Sequence, residues 1–505
     1  MARDTSSQSR ARSRLPLGLV VAGVLLVVII ACVAYLSGLE WRGSHPSPVA
    51  TWILRIVIIG GPIPIVLNVL SFLCVVFLLV RRPTKRRVIV AMITVLTSAL
   101  IALIVFWVST ATNAFGLTLS NVIGAWAVVS FVSIALAIVS FAGASWWRKV
   151  GNVAVITIVL LAAIVGVNAN FGLDPTIAAL AGVSTQPVIV LPLTRGETID
   201  PARQLWSRWK PPVGMPAVGR TAQVSIPGIV SRFPARPAGI YLPPAALVKD
   251  PPALPLVIMM MGQPGNPDPA FQAQVLDRLA AKNRGLAPIV IVADQIGNPS
   301  VDTLCMDTKA HGNAHTYIVR DVVHWARTHL HIDQDPAHWV IAGYSNGGEC
   351  AAQLGATYPN VWGNVIDIAG EEYEGWQMRA QTAMTYFHGD WPAYAATWPA
   401  SILASHRYAN SAGVFAVGSN DPIFRPQTLA VRNAARAANW ATCFTLIHNG
   451  GHGEGVLIGG LQRGFKFLYA RLGLSAPIAD WPASRPDAER DRCWPPQAHR
   501  YSRAP

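Results

Sequence analysis

Ser345 lies in the string Gly343-Tyr344-Ser345-Asn346-Gly347-Gly348, which reads as G-x-S-x-G with Gly343, Ser345 and Gly347. A serine hydroxyl attacks a carbonyl carbon efficiently when a histidine takes its proton, and that histidine needs a carboxylate to fix its tautomer. Two later loops offer those groups. The run GVFAVG (413–418) is followed by Ser419, Asn420 and Asp421, and CFTLI (443–447) by His448, Asn449, Gly450, Gly451, His452 and Gly453. His452 is the expected base, because its glycine-flanked loop directly precedes the last long helical stretch. His448 is closer to the strand and is expected to be structural. Two N–H groups must also face the developing oxyanion, one from the residue after the serine, Asn346, and one from the loop after an early strand. LVIMMM (256–261) leads there into Gly262, Gln263, Pro264 and Gly265, so Gln263 or Gly262 is the expected second donor. The bland alternatives are a capping serine in a Gly-rich turn for Ser345 and an Asx turn before Pro422 for Asp421.

Other groups are set aside. His311 and His315 have i,i+4 spacing, but no Glu accompanies them in an H-E-x-x-H arrangement, so they read as surface or helix-start histidines. Asp294 ends the run IVIVAD before the serine in the chain, and is expected to order its own loop. No cofactor or metal ion is expected.

These residues need a scaffold. Short apolar runs at 222–226, 238–242, 256–261, 289–294, 339–344, 364–369, 413–418 and 443–447 read as strands. Helix-length stretches lie between the later ones, at 269–283, 313–330, 347–358, 426–439 and 454–471. Continuous apolar strands alternating with helices predict a mostly parallel sheet of about eight strands, covered on both faces. Ligands then bind at the carboxyl ends of its strands, where the serine turn lies. The Trp-rich segment Glu371 to Tyr408, with Trp376, Trp391 and Trp398, interrupts the alternation. Its indoles suit a lipid-facing lid or acyl-binding insert and equally an aromatic core.

The first third of the chain is different. The 505 residues are 52% hydrophobic and 13% charged, against roughly a quarter charged in an ordinary soluble domain. Five apolar runs, 15–38, 52–80, 88–108, 122–143 and 150–170, are near the ~20 residues that cross a bilayer. Arg55 and the GGPIP break at 60–64 mark a kink or an interfacial start in the second, with Arg55 snorkelling near a helix end. The net charge of +14 is concentrated here: residues 1–170 hold 13 Lys/Arg and two acids, whereas the rest is nearly balanced, which argues against nucleic acid as a partner. Basic residues cluster in the tail (Arg3, Arg10, Arg12, Arg14), the second loop (Arg81, Arg82, Lys85, Arg86, Arg87) and the fourth (Arg148, Lys149). Positive loops stay cytoplasmic, so the N-terminus is expected inside and everything after the fifth span outside. Ile29 to Cys32 loosely matches a lipoprotein cleavage box, but four further spans make a lipid anchor redundant. Cys305, Cys350, Cys443 and Cys493 then fall in an oxidising compartment, where four cysteines allow three disulfide pairings.

The motif set resembles a known family. RFPARPAGIYLPP (232–244), the MGQPG loop, IVADQIG (291–297), TLCMDT (303–308), IAGYSNGG (341–348) and the two late loops are together similar to the putative esterases that include esterase D and the secreted mycolyltransferases of actinobacteria. The resemblance covers roughly 218–475. It implies an α/β-hydrolase fold, with nucleophile, acid and base carried onto Ser345, Asp421 and His452. The soluble members have no counterpart of the membrane part. A multi-span region ending in such a domain resembles bacterial hydrolases of aminoacylated phospholipids, by architecture alone. The expected organisation is a five-helix transmembrane region (1–170), a connector (171–217), an α/β-hydrolase domain (218–475) and a tail (476–505). The expected function is a membrane-anchored serine esterase acting outside the cell on an ester, lipid in nature. The rivals are a mycolyltransferase-like acyltransferase, which shares the triad, and a catalytically inactive envelope scaffold. The sequence leaves the oligomeric state open.

Overall fold

The computed structural model describes residues 48–79, 84–112, 114–115, 119–193, 205–299, 301–477 and 491–494. The chain divides between Thr185 and Gln186 into two compact units.

The first unit is helical: α1 (Pro48–Leu54), α2 (Pro62–Leu79), α3 (Lys85–Ala111), α4 (Asn121–Val139) and α5 (Trp146–Phe171). Four of these, α2 to α5, are long and apolar enough to cross a membrane. The expected first span, 15–38, lies outside the described residues, as do the tail arginines and Cys32. The expected second span, 52–80, is interrupted at the GGPIP break read from the sequence: α1 ends at Leu54 and the long helix α2 starts at Pro62. Gly60 takes a left-handed φ of 69°, and Pro62, whose missing N–H suits a helix start, opens α2. Arg55 lies in that break and donates from Nη2 to the Thr185 carbonyl at 3.0 Å, outside the long helix. Cys74, Leu78, Leu136, Val155, Ile158 and Val159 form a buried seam between α2, α4 and α5. Phe72, Leu96, Leu100 and Trp107 are exposed, the arrangement of a bundle whose outer solvent is hydrocarbon.

The second unit is built on one nine-stranded sheet. Its strands are β1 (Arg220–Val224), β2 (Ala238–Leu242), β3 (Leu256–Met260), β4 (Ile289–Ala293), β5 (Trp339–Tyr344), β6 (Asn364–Ile368), β7 (Ala412–Gly418), β8 (Ala441–Ile447) and β9 (Asp491–Trp494). The spatial order is β1-β2-β4-β3-β5-β6-β7-β8-β9. β3 to β8 run parallel, while β1, β2 and β9 pair antiparallel. β3, β4, β5, β6 and β7 are buried along their whole lengths, which is why they read as unbroken apolar runs. The expected α/β-hydrolase sheet is therefore present, with one strand more than predicted. β9 comes from the segment read as a tail; it lies antiparallel to β8, with Cys443 opposite Cys493.

The helices that matter for the site are α6 (Ala270–Lys282), α7 (Asn346–Thr357), α11 (Phe424–Ala437) and α12 (Glu454–Leu468). Between β6 and β7 the Trp-rich segment folds as α8 (Arg379–Phe387), α9 (Trp391–Thr397) and α10 (Pro399–Ser405). It has its own small core of Tyr373, Ala383 and Tyr394, with Trp376, Phe387 and Trp398 packed against it. Trp398 stacks on Tyr373 at 4.0 Å between ring centroids. Two of the three tryptophans are thus core aromatics, while Trp391 remains 41% exposed, and Met378 and Met384 are exposed as well. Of the three disulfide pairings, the structure has Cys305–Cys350 and Cys443–Cys493.

Candidate active site

The turn from β5 into α7 is set by steric need. Ser345 adopts φ 56° and ψ −123°, a region an L residue enters only under constraint. A Cβ at Gly343 would lie 1.7 Å from the Gly347 carbonyl oxygen, and one at Gly347 would lie 2.3 Å from the Met260 carbonyl oxygen. Only glycine fits either place. The strained backbone lifts the hydroxyl clear of the sheet at the N-terminus of α7.

Two loops bring the other groups to it. After β7, Ser419 N–H donates to the Ile447 carbonyl and Asn420 N–H to the Gly450 carbonyl, while Asn449 N–H donates to Ser419 Oγ. These bonds knit the loop after β7 to the loop after β8, so Asp421 and His452 are positioned as a pair. Asp421 is 1% exposed; its Oδ1 accepts from Phe424 N–H, and its Oδ2 is 2.9 Å from His452 Nδ1. His452 Nε2 is 2.9 Å from Ser345 Oγ. The carboxylate fixes the proton on Nδ1, which leaves Nε2 to accept from the hydroxyl. The imidazole stacks on Phe424 at 4.0 Å and on Tyr344 at 5.1 Å, and these rings hold its plane.

The residues expected to carry the oxyanion donors lie next to Ser345 in the chain or on the loop after β3. Asn346 is the first residue of α7, and a Cβ at Gly262 would be 3.2 Å from Ser345 Cβ, so the loop after β3 runs directly beside Ser345. Gln263 turns its side chain away, donating from Nε2 to the Pro299 carbonyl. The Asn346 carboxamide is held from two sides. Gln295 Nε2 donates to its Oδ1 at 3.2 Å, and its own Nδ2 donates to Asp302 Oδ1 at 3.1 Å.

The remaining predicted residues are elsewhere. His448, expected to be structural, is exposed. His311 and His315 point Nε2 at different tyrosines, Tyr386 at 2.6 Å and Tyr358 at 2.8 Å. Asp294 orders its loop: it accepts from Arg236 through backbone and guanidinium, and from Gly297 N–H.

Sequence reasoning missed a set of buried acids on the serine helix and on the segments after β4 and β6. Glu349 lies one helical turn past Ser345, and Glu371 and Glu374 follow β6. Burial pushes the Glu371 carboxyl up to about 8 and that of Glu374 up to about 7. Burial first, and then the neighbouring carboxyls of Glu374, Glu371, Asp302 and Asp367, raise Glu349 well above the usual range. Asp302 is raised by burial against the opposing hydrogen bonds from Leu304 and Asn346. Asp367, at the end of β6, is pushed up to about 7 by burial. The signal was in the string IAGEEYE after β6, where three acids sit at a strand's carboxyl end.

No family model matches the chain. An uncharacterised protein of Corynebacterium glutamicum is 32% identical over 271 residues, covering 51% of this chain. The match takes in 63% of that relative's own length. Among solved structures, a ferulic acid esterase shares 15% identity with a TM-score of 0.43, over 50% of this chain and 99% of that one. An S-formylglutathione hydrolase from Agrobacterium tumefaciens shares 16% identity with a TM-score of 0.42, over 51% of this chain and 97% of that one.

Proposed function

We propose that this protein is a membrane-anchored serine esterase that hydrolyses carboxylic esters on the outer face of the membrane, with lipid or aminoacyl-lipid esters as its substrates. The observation that carries the reading is the unbroken chain Asp421–His452–Ser345, with both links at 2.9 Å, at the carboxyl ends of the central strands. In the first half-reaction Ser345 Oγ attacks the ester carbonyl carbon, and its proton passes to His452 Nε2. The oxyanion takes N–H bonds from Asn346 and from Gln263 or Gly262. The carbonyl re-forms, the bond to the alcohol oxygen breaks, and His452 returns the proton to the departing alcohol. In the second half a water attacks the acyl-serine, gives its proton to His452, and leaves as the hydroxyl of the carboxylic acid while Ser345 regains its hydrogen. Asp421 orients the imidazole and supports the imidazolium that forms.

Two features support a lipid ester. Four helices long and apolar enough to cross a membrane precede the domain in the same chain. The insert after β6 exposes three large apolar side chains, Trp391, Met378 and Met384. The Lys/Arg bias of the loops supports the outward orientation. An acyltransferase uses the same three residues, so products decide between them. Purified protein incubated with a long-chain ester, with and without a polyol acceptor, is expected to release free acid in both cases and to show a transient mass increase of one acyl group. Quantitative appearance of the acyl group on the polyol would replace hydrolysis with transfer, and absence of any acyl adduct or product would reject the enzyme.

A further inference from the structure

We propose that an apolar groove at the β1 edge of the sheet takes an acyl chain of an anionic phospholipid of the bilayer, with exposed arginines beside it at the headgroup. This goes beyond the esterase reading and stands whether or not the triad turns over. The groove lies wholly in the second unit and holds about 550 Å³, within the roughly 300–1,000 Å³ of sites that take small molecules. One wall is the run Val188 to Leu193, the other is the helix Val323–His329 with the π-turn Tyr317–Val322 before it, and the turn after β1 adds Ile229 and Val230. Backbone bonds fix the first wall: Gln223 N–H donates to the Pro187 carbonyl and Ile189 N–H to the Gln223 carbonyl. Asp321 fixes the turn, its buried carboxylate accepting from Val230 N–H and Ser231 N–H. On this fixed frame the apolar side chains stand outward: Val190 is 94% exposed, Leu193 77% and Ile229 72%. Large apolar side chains held together in water mark a contact with something apolar.

Three observations choose a lipid. Polar groups of the lining are already used, Asp321 on the turn, Thr328 on the His324 carbonyl and His329 Nδ1 on the Trp325 carbonyl. A peptide backbone would find little to bond there, whereas an acyl chain needs no partner. The charge beside the groove is positive. Arg232 ends the turn, and Arg320, His324 and Arg327 are exposed along the helical wall at i, i+4 and i+7, with His324 itself in the lining. Across 186–193, 220–236 and 317–329 the single acid is the buried Asp321. Asp307, exposed before the helix, is bonded to Thr316. Cations bordering an apolar groove match an anionic headgroup above its hydrocarbon. The third observation is the tether. α5, long and apolar enough to cross a membrane, ends at Phe171, and Val188 follows 17 residues later, at most about 60 Å of extended chain. A bilayer is thus the apolar partner that the chain keeps within reach. β1 runs in the same direction as β5, through two antiparallel and two parallel steps, so the turn after β1 lies at the sheet edge that carries Ser345. Four strand spacings, about 19 Å, separate β1 from β5, so the groove is a site apart from the triad.

The test places the full-length protein in nanodiscs of phosphatidylglycerol or of phosphatidylcholine, each doped with the same lipid carrying a diazirine in its acyl chain. After irradiation, adducts are mapped by tandem mass spectrometry, with α2 to α5 as the internal positive control. In phosphatidylglycerol, Val188 to Leu193 and Ile229 to Val230 are expected to carry at least about fivefold more label than Val213 and Val218, which are exposed in the segment before β1. Arg232→Gln is expected to lower that groove label about fivefold, the usual worth of one basic residue at an anionic surface, and to leave the phosphatidylcholine label unchanged. Leu193→Asp combined with Ile229→Asp is expected to lower it about tenfold with circular dichroism unchanged. Label on α2 to α5 with the groove no higher than Val213 and Val218 overturns the proposal. Equal groove label from the two lipids also overturns it, as does a groove cross-linked to a second copy of the chain in place of lipid. If a variant fails to fold, the wild-type comparison of groove with Val213 and Val218 still decides.

Discussion

His452 is held at both nitrogens and on both faces, by Asp421, Ser345, Phe424 and Tyr344, and each contact has a measurable consequence. His452→Ala and Asp421→Asn are expected to lower kcat by about 10³-fold to 10⁶-fold with much smaller changes in KM, because both act on proton transfer in one unit. His448→Ala, at an exposed position, is expected to match wild type in both constants and in Tm. Asp367 gives a pH prediction. Burial raises its folded-state pKa to about 7, above the ordinary carboxylate value near 4, so folding favours the protonated form. Its contribution is therefore fully present below about pH 4 and lost as the pH rises toward 7. Asp367→Asn imitates the protonated acid, keeping an oxygen to accept from Gly370 N–H. It is expected to raise Tm at pH 8 and change it little at pH 4, as thermal scans at the two values would read. The serine turn, Asp421 and His452 were legible because G-x-S-x-G and loops at strand ends leave local strings. Glu349 was not, since a glutamate in a helix reads as a solvated position, and only the packing of the segment after β6 on α7 buries it.

The elements followed from pattern where burial was uniform. β2 and β5 have the predicted bounds, because fully buried strands read as continuous apolar runs. β9 was invisible: four residues with a single cysteine carry no period, and they become a strand only by pairing with β8. The long second run breaks where the GGPIP string marked a kink, because Gly60 turns left-handed and Pro62 opens a new helix. The disulfides could not be read from spacing, since pairing depends on which loops meet. Cys305–Cys350 ties the loop carrying Asp302 to the helix capped by Ser345. Replacing both cysteines by serine is expected to destabilise the domain by about 2–4 kcal/mol, measured by denaturant unfolding under oxidising conditions. It is also expected to lower kcat, because the loop that fixes Asn346 loses its tether.

At the scale of the whole molecule, the proposal joins an apolar helical unit to a catalytic domain on one side of a membrane. The basic loops predict that side: a reporter active only in the cytoplasm should work when fused after Arg87 and be silent at the C-terminus. A cytoplasmic signal from the C-terminal fusion would reject both the span count and the outward site. Four of the five expected spans were legible as apolar runs, with Gly and Pro marking the break in the second, while the first, 15–38, lies outside the described residues. The substrate was not legible, because a triad fixes the reaction class and leaves the acyl group to surfaces assembled from distant segments. The central claim is that Ser345 is the nucleophile of an esterase. The most direct measurement is turnover of a p-nitrophenyl ester by purified wild type and Ser345→Ala, with folding checked by circular dichroism. The account predicts a loss on the order of 10⁶-fold in kcat with the fold retained. A Ser345→Ala protein that keeps more than about a tenth of wild-type turnover, where loss of a nucleophile should leave almost none, would contradict it.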